Sequence, residues 1–167
     1  MIYHYFCIRL YPNLHNMEPF KSIDEILLFA INAEQEAVDF YSRLSAQSRN
    51  TEMKQIFKQY AQEEMEHKAR LITVREQGLF KISTETIQDL KISDYIIDVM
   101  PGPEMTYHEA LVLAMKKEKA AFRMYLDLAA KAPTEEISAI FSSLAQEEAK
   151  HKLRFELEYD QSVLKEN

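Results

Sequence analysis

The sequence predicts an all-α protein, a four-helix bundle made of two duplicated helical hairpins joined by one long crossover. Three observations carry that prediction. The 167 residues include only two glycines and five prolines, too few for a fold rich in tight turns. Apolar residues recur at helical spacing in four separate stretches. The pattern also repeats at a constant offset of 84 residues: Ser22 matches Thr106, Glu25 matches Glu109, Glu34 matches Glu118, Tyr41 matches Tyr125, Glu64 matches Glu148 and His67 matches His151.

Residues 1–16 differ from the rest: aromatic-rich, broken by Pro12 and without a sustained period. They read as a leader, either disordered or a misassigned start, with Met17 as a candidate initiator; His4 and His15 are left out of the ligand set. The domain proper is expected over residues 17–164. Its first helix begins at Ser22, which forms a Ser-x-x-Glu capping box with Glu25. The stripe that follows is Leu27, Ala30, Ile31, Glu34, Ala37, Val38, Tyr41 and Leu44, with Glu34 a charge amid apolar residues. The second helix runs from after Asn50 to about Gln77 and stops at Gly78. Its stripe is Met53, Phe57, Tyr60, Glu64, His67, Leu71 and Val74, again interrupted by polar groups.

Residues 79–105 lack a long period and contain Pro101-Gly102-Pro103. They read as a connector, with room for a short helix around Thr86–Val99. Adjacent antiparallel helices need only a few linking residues, so a connector this long points to a crossover along the bundle. The third helix starts at Thr106 with a second capping box to Glu109, and carries Leu111, Ala114, Met115, Glu118, Ala121, Phe122, Tyr125 and Leu128. Pro133-Thr134 separates it from the fourth, whose stripe is Ile137, Phe141, Leu144, Glu148, His151 and Phe155; the charged tail is expected to fray.

Composition narrows the function. A net charge of -7 argues against nonspecific binding to nucleic acid or to an anionic membrane. Cys7 is the one cysteine, so the chain encodes no internal disulfide and no cysteine-built zinc or iron site. No apolar run reaches the roughly 20 residues that span a bilayer, and the N-terminus lacks the features of a signal peptide. The expected location is the cytoplasm.

The chemistry lies in two stretches, Ile56–Arg70 (IFKQYAQEEMEHKAR) and Ile140–Arg154 (IFSSLAQEEAKHKLR), identical at nine of fifteen positions. Each holds a Glu and a His three apart, which a helix places on one face. With Glu34 and Glu118, four carboxylates are expected to face the bundle core, where no Lys or Arg of those stripes neutralises them. Burying one unpaired carboxylate costs several kcal/mol. Two divalent cations would balance four such charges, with His67 and His151 binding as neutral imidazoles. The expected metal ligands are therefore Glu34, Glu64, His67, Glu118, Glu148 and His151, with Glu64 and Glu148 bridging and Glu34 and Glu118 terminal. This donor set suits iron or manganese better than zinc or copper.

Tyr41 and Tyr125 lie two helical turns from Glu34 and Glu118 on the same faces, as hydrogen-bond donors to a ligand carboxylate or as core packing. Glu63 and Glu147 point about 100° away from the ligands. They either hydrogen-bond the His of the opposite hairpin or face solvent. Glu36, Glu66 and His108 are expected at the surface.

The segments AINAEQEAVDFY, AQEEMEHK, AMKKEKAAFRMY and AQEEAKHK resemble the rubrerythrin branch of the ferritin-like superfamily, over about Met17–Tyr159. The resemblance implies a ferritin-like fold and a pair of iron ions, with manganese or a mixed pair also open. It implies a homodimer and an oxidoreductase that reduces hydrogen peroxide or dioxygen, with Tyr41 and Tyr125 as candidate proton sources. Two departures stand out. Rubrerythrins carry a four-cysteine rubredoxin domain that this chain lacks, so electrons are expected from a separate carrier such as a rubredoxin-like protein. They also place a further Glu three residues after the helix-three ligand, where this chain has Ala121. The alternatives are a ferroxidase or iron-handling protein, and a metal-stabilised binding bundle without catalysis.

Overall fold

A computed structural model describes residues 22–48, 51–78, 105–132 and 134–166. They form four helices, α1 (Ile23–Gln47), α2 (Thr51–Gln77), α3 (Tyr107–Ala130) and α4 (Glu135–Glu166). No strand occurs among the described residues. The expected leader and the short helix around Thr86–Val99 lie outside them.

Local chemistry sets the helix ends. Ser22 is extended, and its hydroxyl accepts the Glu25 N–H at 3.2 Å. At α3 the capping box is complete: Thr106 Oγ1 accepts from the Glu109 backbone at 3.2 Å, and Glu109 Oε2 accepts from the Thr106 N–H at 2.8 Å. The Thr134 hydroxyl accepts the Ile137 N–H at 3.3 Å near the start of α4. Each such cap contributes about 1 kcal/mol. Gly78, at φ +57°, ends α2 in the left-handed region, where a side chain is strained even though the space around it is open. The position of α4 that matches Gly78 is Ser162, which stays helical. For that reason the tail expected to fray continues as helix to Glu166.

The core divides into two apolar layers, one at each end of the bundle. One joins Leu27, Ala30 and Ile31 of α1, Leu71 and Val74 of α2, Tyr125 and Leu128 of α3, and Ile137, Phe141 and Leu144 of α4. The other joins Phe40, Tyr41 and Leu44 with Phe57, Tyr60, Leu111, Ala114 and Phe155. Each fully buried Leu, Ile or Phe contributes about 1.5–3 kcal/mol. The first layer takes the start of α1, the end of α2, the end of α3 and the start of α4. Thus α2 and α3 run parallel, as the one-crossover bundle expected from the sequence requires. No helix is long and apolar enough to cross a membrane among the described residues.

Candidate metal centre

Between the two apolar layers lies a layer of six buried ionisable residues: Glu34, Glu64, His67, Glu118, Glu148 and His151, each at most 4% exposed. The helical stripes that bury Leu, Phe and Tyr on either side carry these groups inward with them. They form two overlapping clusters. Glu34, Glu64, His67 and Glu148 present ligand atoms within 4.8 Å of one another, and so do Glu64, Glu118, Glu148 and His151. The six side chains singled out in the sequence thus meet at one place, and Glu64 and Glu148 belong to both clusters.

The shared carboxylates face both ways. His67 Nδ1 lies 3.0 Å from Glu64 Oε2 and 2.9 Å from Glu148 Oε1. His151 Nδ1 lies 3.2 Å from Glu64 Oε1 and 3.8 Å from Glu148 Oε2. Each shared Glu therefore turns one oxygen to each imidazole. Glu34 lies on the His67 side at 3.9 Å, and Glu118 on the His151 side at 3.4 Å.

Around this centre, hydrogen bonds cross from hairpin to hairpin. The Tyr41 hydroxyl donates to Glu118 and the Tyr125 hydroxyl donates to Glu34. The outer imidazole nitrogens point away from the centre: His67 Nε2 lies 3.0 Å from Glu147 Oε2, and His151 Nε2 lies 2.8 Å from Glu63 Oε2. Of the two readings of Glu63 and Glu147, the structure has the bond to the opposite hairpin's His. Arg70 grips Glu147 with two hydrogen bonds of 3.0 and 2.6 Å, and Arg154 stands 3.5 Å from Glu63. A surface recess of about 230 Å³ between α2 and α4, bordered by Glu63, Glu147, Lys150 and Arg154, reaches both His residues.

Neither Arg was singled out from sequence, although Arg70 and Arg154 occupy matching positions of the repeat. Nor was the unequal setting of the two halves. Tyr60 packs edge-on against His151 with ring centroids 5.0 Å apart, and its repeat counterpart is the aliphatic Leu144.

The donor set passes a simple test of fit to a cation. With Nε2–H committed to a carboxylate, each neutral imidazole turns the Nδ1 lone pair inward, toward oxygens that also only accept. Glu64 Oε1 and Oε2, His67 Nδ1, Glu118 Oε2, Glu148 Oε1 and His151 Nδ1 are buried without a hydrogen-bond partner. Atoms bound about 2.1 Å from one ion, at angles near 90–110°, stand about 3.0–3.4 Å apart. The short His–Glu distances, 2.9, 3.0, 3.2 and 3.4 Å, lie at that spacing.

Without a cation, protons must do the same work. Burial, then repulsion from Glu64, pushes Glu34 well above the ordinary carboxyl range, and Glu148 rises for the same reasons. Burial also works to raise Glu64, but the nearby His151 and His67 imidazoles, at 3.2 and 3.0 Å, outweigh it and bring it down to about 2. Burial disfavours the charged form of His151, yet Glu118 and Glu64 overcome this and hold it at about 10. Burial and the neighbouring carboxylates keep the phenols of Tyr41 and Tyr125 protonated, well above the ordinary range.

A four-helix bundle whose core holds paired Glu and Glu-x-x-His groups defines the ferritin-like class. A sequence model of the rubrerythrin family matches residues 25–97 and 109–167, and the chain belongs to that family. Comparison with curated proteins and with solved structures found no match.

Proposed function

We propose that this chain is a non-haem di-iron oxidoreductase that reduces hydrogen peroxide or dioxygen with electrons from a separate carrier. The observation that carries the proposal is the pair of overlapping clusters, each with a carboxylate of its own, an imidazole of its own and the same two shared carboxylates. In this reading Glu64 and Glu148 would serve both metal positions, with Glu34 and His67 holding one and Glu118 and His151 holding the other. Bound there, two ferrous ions would supply Lewis acidity and two electrons.

The protein's own part is to hold ligands, exclude bulk water and keep protons at hand. Converting one hydrogen peroxide to two waters takes two electrons and two protons. Tyr41 and Tyr125 hold phenolic protons beside Glu118 and Glu34, one on each side of the centre. Glu63 and Glu147 fix the imidazoles and border the recess through which solvent approaches. These residues hold one cysteine and so no four-thiolate iron site, and in this reading the electrons come from a carrier that is rubredoxin-like in its chemistry.

Metal analysis followed by stopped-flow mixing of the di-ferrous protein with peroxide and with dioxygen tests the proposal. Rapid oxidation by either supports it, and the faster oxidant is assigned as substrate. Repeated oxidation of added ferrous ion with the iron retained would favour iron handling instead. A centre that stays reduced in both oxidants would rule out the redox reading. Glu64→Ala combined with Glu148→Ala should abolish loading, and unchanged loading would refute the ligand assignment.

A further inference from the structure

Each imidazole of the centre turns its outer nitrogen to a carboxylate of the opposite hairpin, and those two carboxylates are held differently. Arg70 Nη2 donates to Glu147 Oε2 at 2.6 Å, the same oxygen that faces His67 Nε2 at 3.0 Å. Arg70 Nη1 and the Ser143 hydroxyl donate to Glu147 Oε1 at 3.0 and 3.2 Å. On Glu63 the neighbours gather at the other oxygen. Gln59 Nε2 donates to Glu63 Oε1 at 2.7 Å, and Arg154 Nη1 stands 3.5 Å from that atom. Among the described residues this leaves Glu63 Oε2 to His151 Nε2, at 2.8 Å.

The difference traces to one position of the repeat. Arg70 and Arg154 match at the 84-residue offset, and so do Tyr60 and Leu144. The Arg154 guanidinium lies over the Tyr60 ring, 5.7 Å from its centroid, where the aromatic face attracts a cation. For Arg70 the matching position is Leu144, an aliphatic chain with no such face. Arg70 closes on its carboxylate with two bonds, whereas Arg154 is drawn aside.

We propose that Tyr60 and Arg70 are positioning residues that make the two cation positions unequal. The position of Glu118 and His151 binds a divalent cation more tightly than the position of Glu34 and His67, so the chain fills them in order. The inference rests on the di-metal reading above. A carboxylate that accepts the outer N–H of a ligand imidazole raises its basicity, and is worth about 10- to 100-fold in metal affinity. A guanidinium on the same oxygen competes for its lone pairs and draws off its charge. His67 therefore has a weakened partner and His151 an undivided one, in accord with the shorter contact at His151.

The test is to load the chain with one equivalent of cobalt(II) and locate the ion by anomalous diffraction at the cobalt edge. If the affinities differ tenfold, mass action puts about three ions beside His151 for each one beside His67. Arg70→Gln frees Glu147 Oε2 for His67 and should bring the ratio toward one. An Arg70 that served only to hold Glu147 in place would have the opposite effect, since its loss would weaken the His67 position further. The Arg70 side chain is 41% exposed, so this change leaves the core intact. Tyr60→Leu installs the residue of the other repeat copy; it should let Arg154 close on Glu63 and also level the ratio. Tyr60→Phe keeps the aromatic face and should keep the ratio. Circular dichroism checks the helices, and Arg70→Gln decides alone if Tyr60→Leu fails to fold. Equal occupancy in the wild type, or an excess beside His67, would overturn the proposal. So would a ratio that Arg70→Gln leaves unchanged or widens, or one that a folded Tyr60→Leu protein retains. Cobalt at neither position would sink the di-metal reading together with this inference. Unequal cobalt in a chain whose di-ferrous form ignores both oxidants would support the inference and remove only the redox reading.

Discussion

Replacing Glu148 with Gln should stabilise the metal-free protein and weaken its hold on metal. Glu148 is 2% exposed, and its ligand atoms lie within 4.8 Å of those of its neighbours in both clusters. At that separation each like-charge pair costs about 3.5 kcal/mol at an effective dielectric of about 20. Holding a proton is the alternative. Burial and the neighbouring carboxylates raise Glu148 well above the ordinary carboxyl range, so the folded chain holds a proton that the unfolded chain releases at pH 7. Repulsion from even one charged neighbour thus sets a penalty near about 3.5 kcal/mol, and a neutral Gln of the same shape removes most of it. The metal-free Glu148→Gln protein should therefore gain about 3 kcal/mol at pH 7, or roughly 6–12 °C in Tm for a domain of this size. At pH 4.5, where the unfolded chain is also partly protonated, the gain should nearly vanish. Urea denaturation of metal-free samples at the two pH values measures it. With metal the sign reverses, because a shared ligand oxygen is lost and added metal should raise Tm by less than in the wild type. A metal-free variant that is destabilised at pH 7, or equally shifted at both pH values, would refute this account of the buried charge.

Further outcomes follow from the same centre. The raised Glu34 and Glu148 hold protons that the unfolded chain releases above about 4.5, and His151 keeps its proton from 6.5 up to about 10, so metal-free stability should fall as pH rises through neutrality. The low value of Glu64 adds stability that is lost only as pH falls from 4.5 toward 2. Metal displaces the held protons, so the metal-induced rise in Tm should be larger at pH 8 than at pH 6; an equal rise would count against the site. Glu147→Gln weakens the acceptor at His67 Nε2 and should lower metal affinity about 10- to 100-fold, read by chelator competition. Tyr41→Phe removes the hydrogen bond to Glu118 and should cost the metal-free protein about 2 kcal/mol in denaturant titration; unchanged stability would show that the hydroxyl contributes nothing there.

The six central residues were legible in the sequence because a charge on an apolar stripe is conspicuous, and the 84-residue offset displays each one twice. The partners of Tyr41 and Tyr125 were not. Both hairpins carry the same stripe, so nothing in the spacing says whether a tyrosine reaches the Glu of its own hairpin or of the other. The antiparallel packing of α1 against α3 decides for the other, sending Tyr41 to Glu118 and Tyr125 to Glu34. Glu63 and Glu147 were ambiguous for a similar reason: their 100° offset puts them at the rim between inside and outside, where only the neighbouring helix settles the matter. The roles of Arg70 and Arg154 were detectable in principle, since both repeat copies keep an Arg three residues after the His. The fate of the tail turned on one position, a stop at Gly78 against the helix-compatible Ser162.

The contrast between Tyr60 and Leu144 has its own consequence for what a spectroscopist would see. Two ions in this layer would have matched donors, Glu34 and His67 against Glu118 and His151, so their immediate coordination offers nothing to tell them apart. The surroundings do. Near His151 the neighbours are polarisable rings, with Tyr60, Tyr41 and Phe155 mutually within 5.7 Å. The matching ring of Tyr125 has Phe141 beside it at 6.1 Å and Leu71 and Leu144 where its twin has Phe155 and Tyr60. The six donors are thus nearly symmetric in an asymmetric medium, and a pair of ions held there would differ chiefly through that medium.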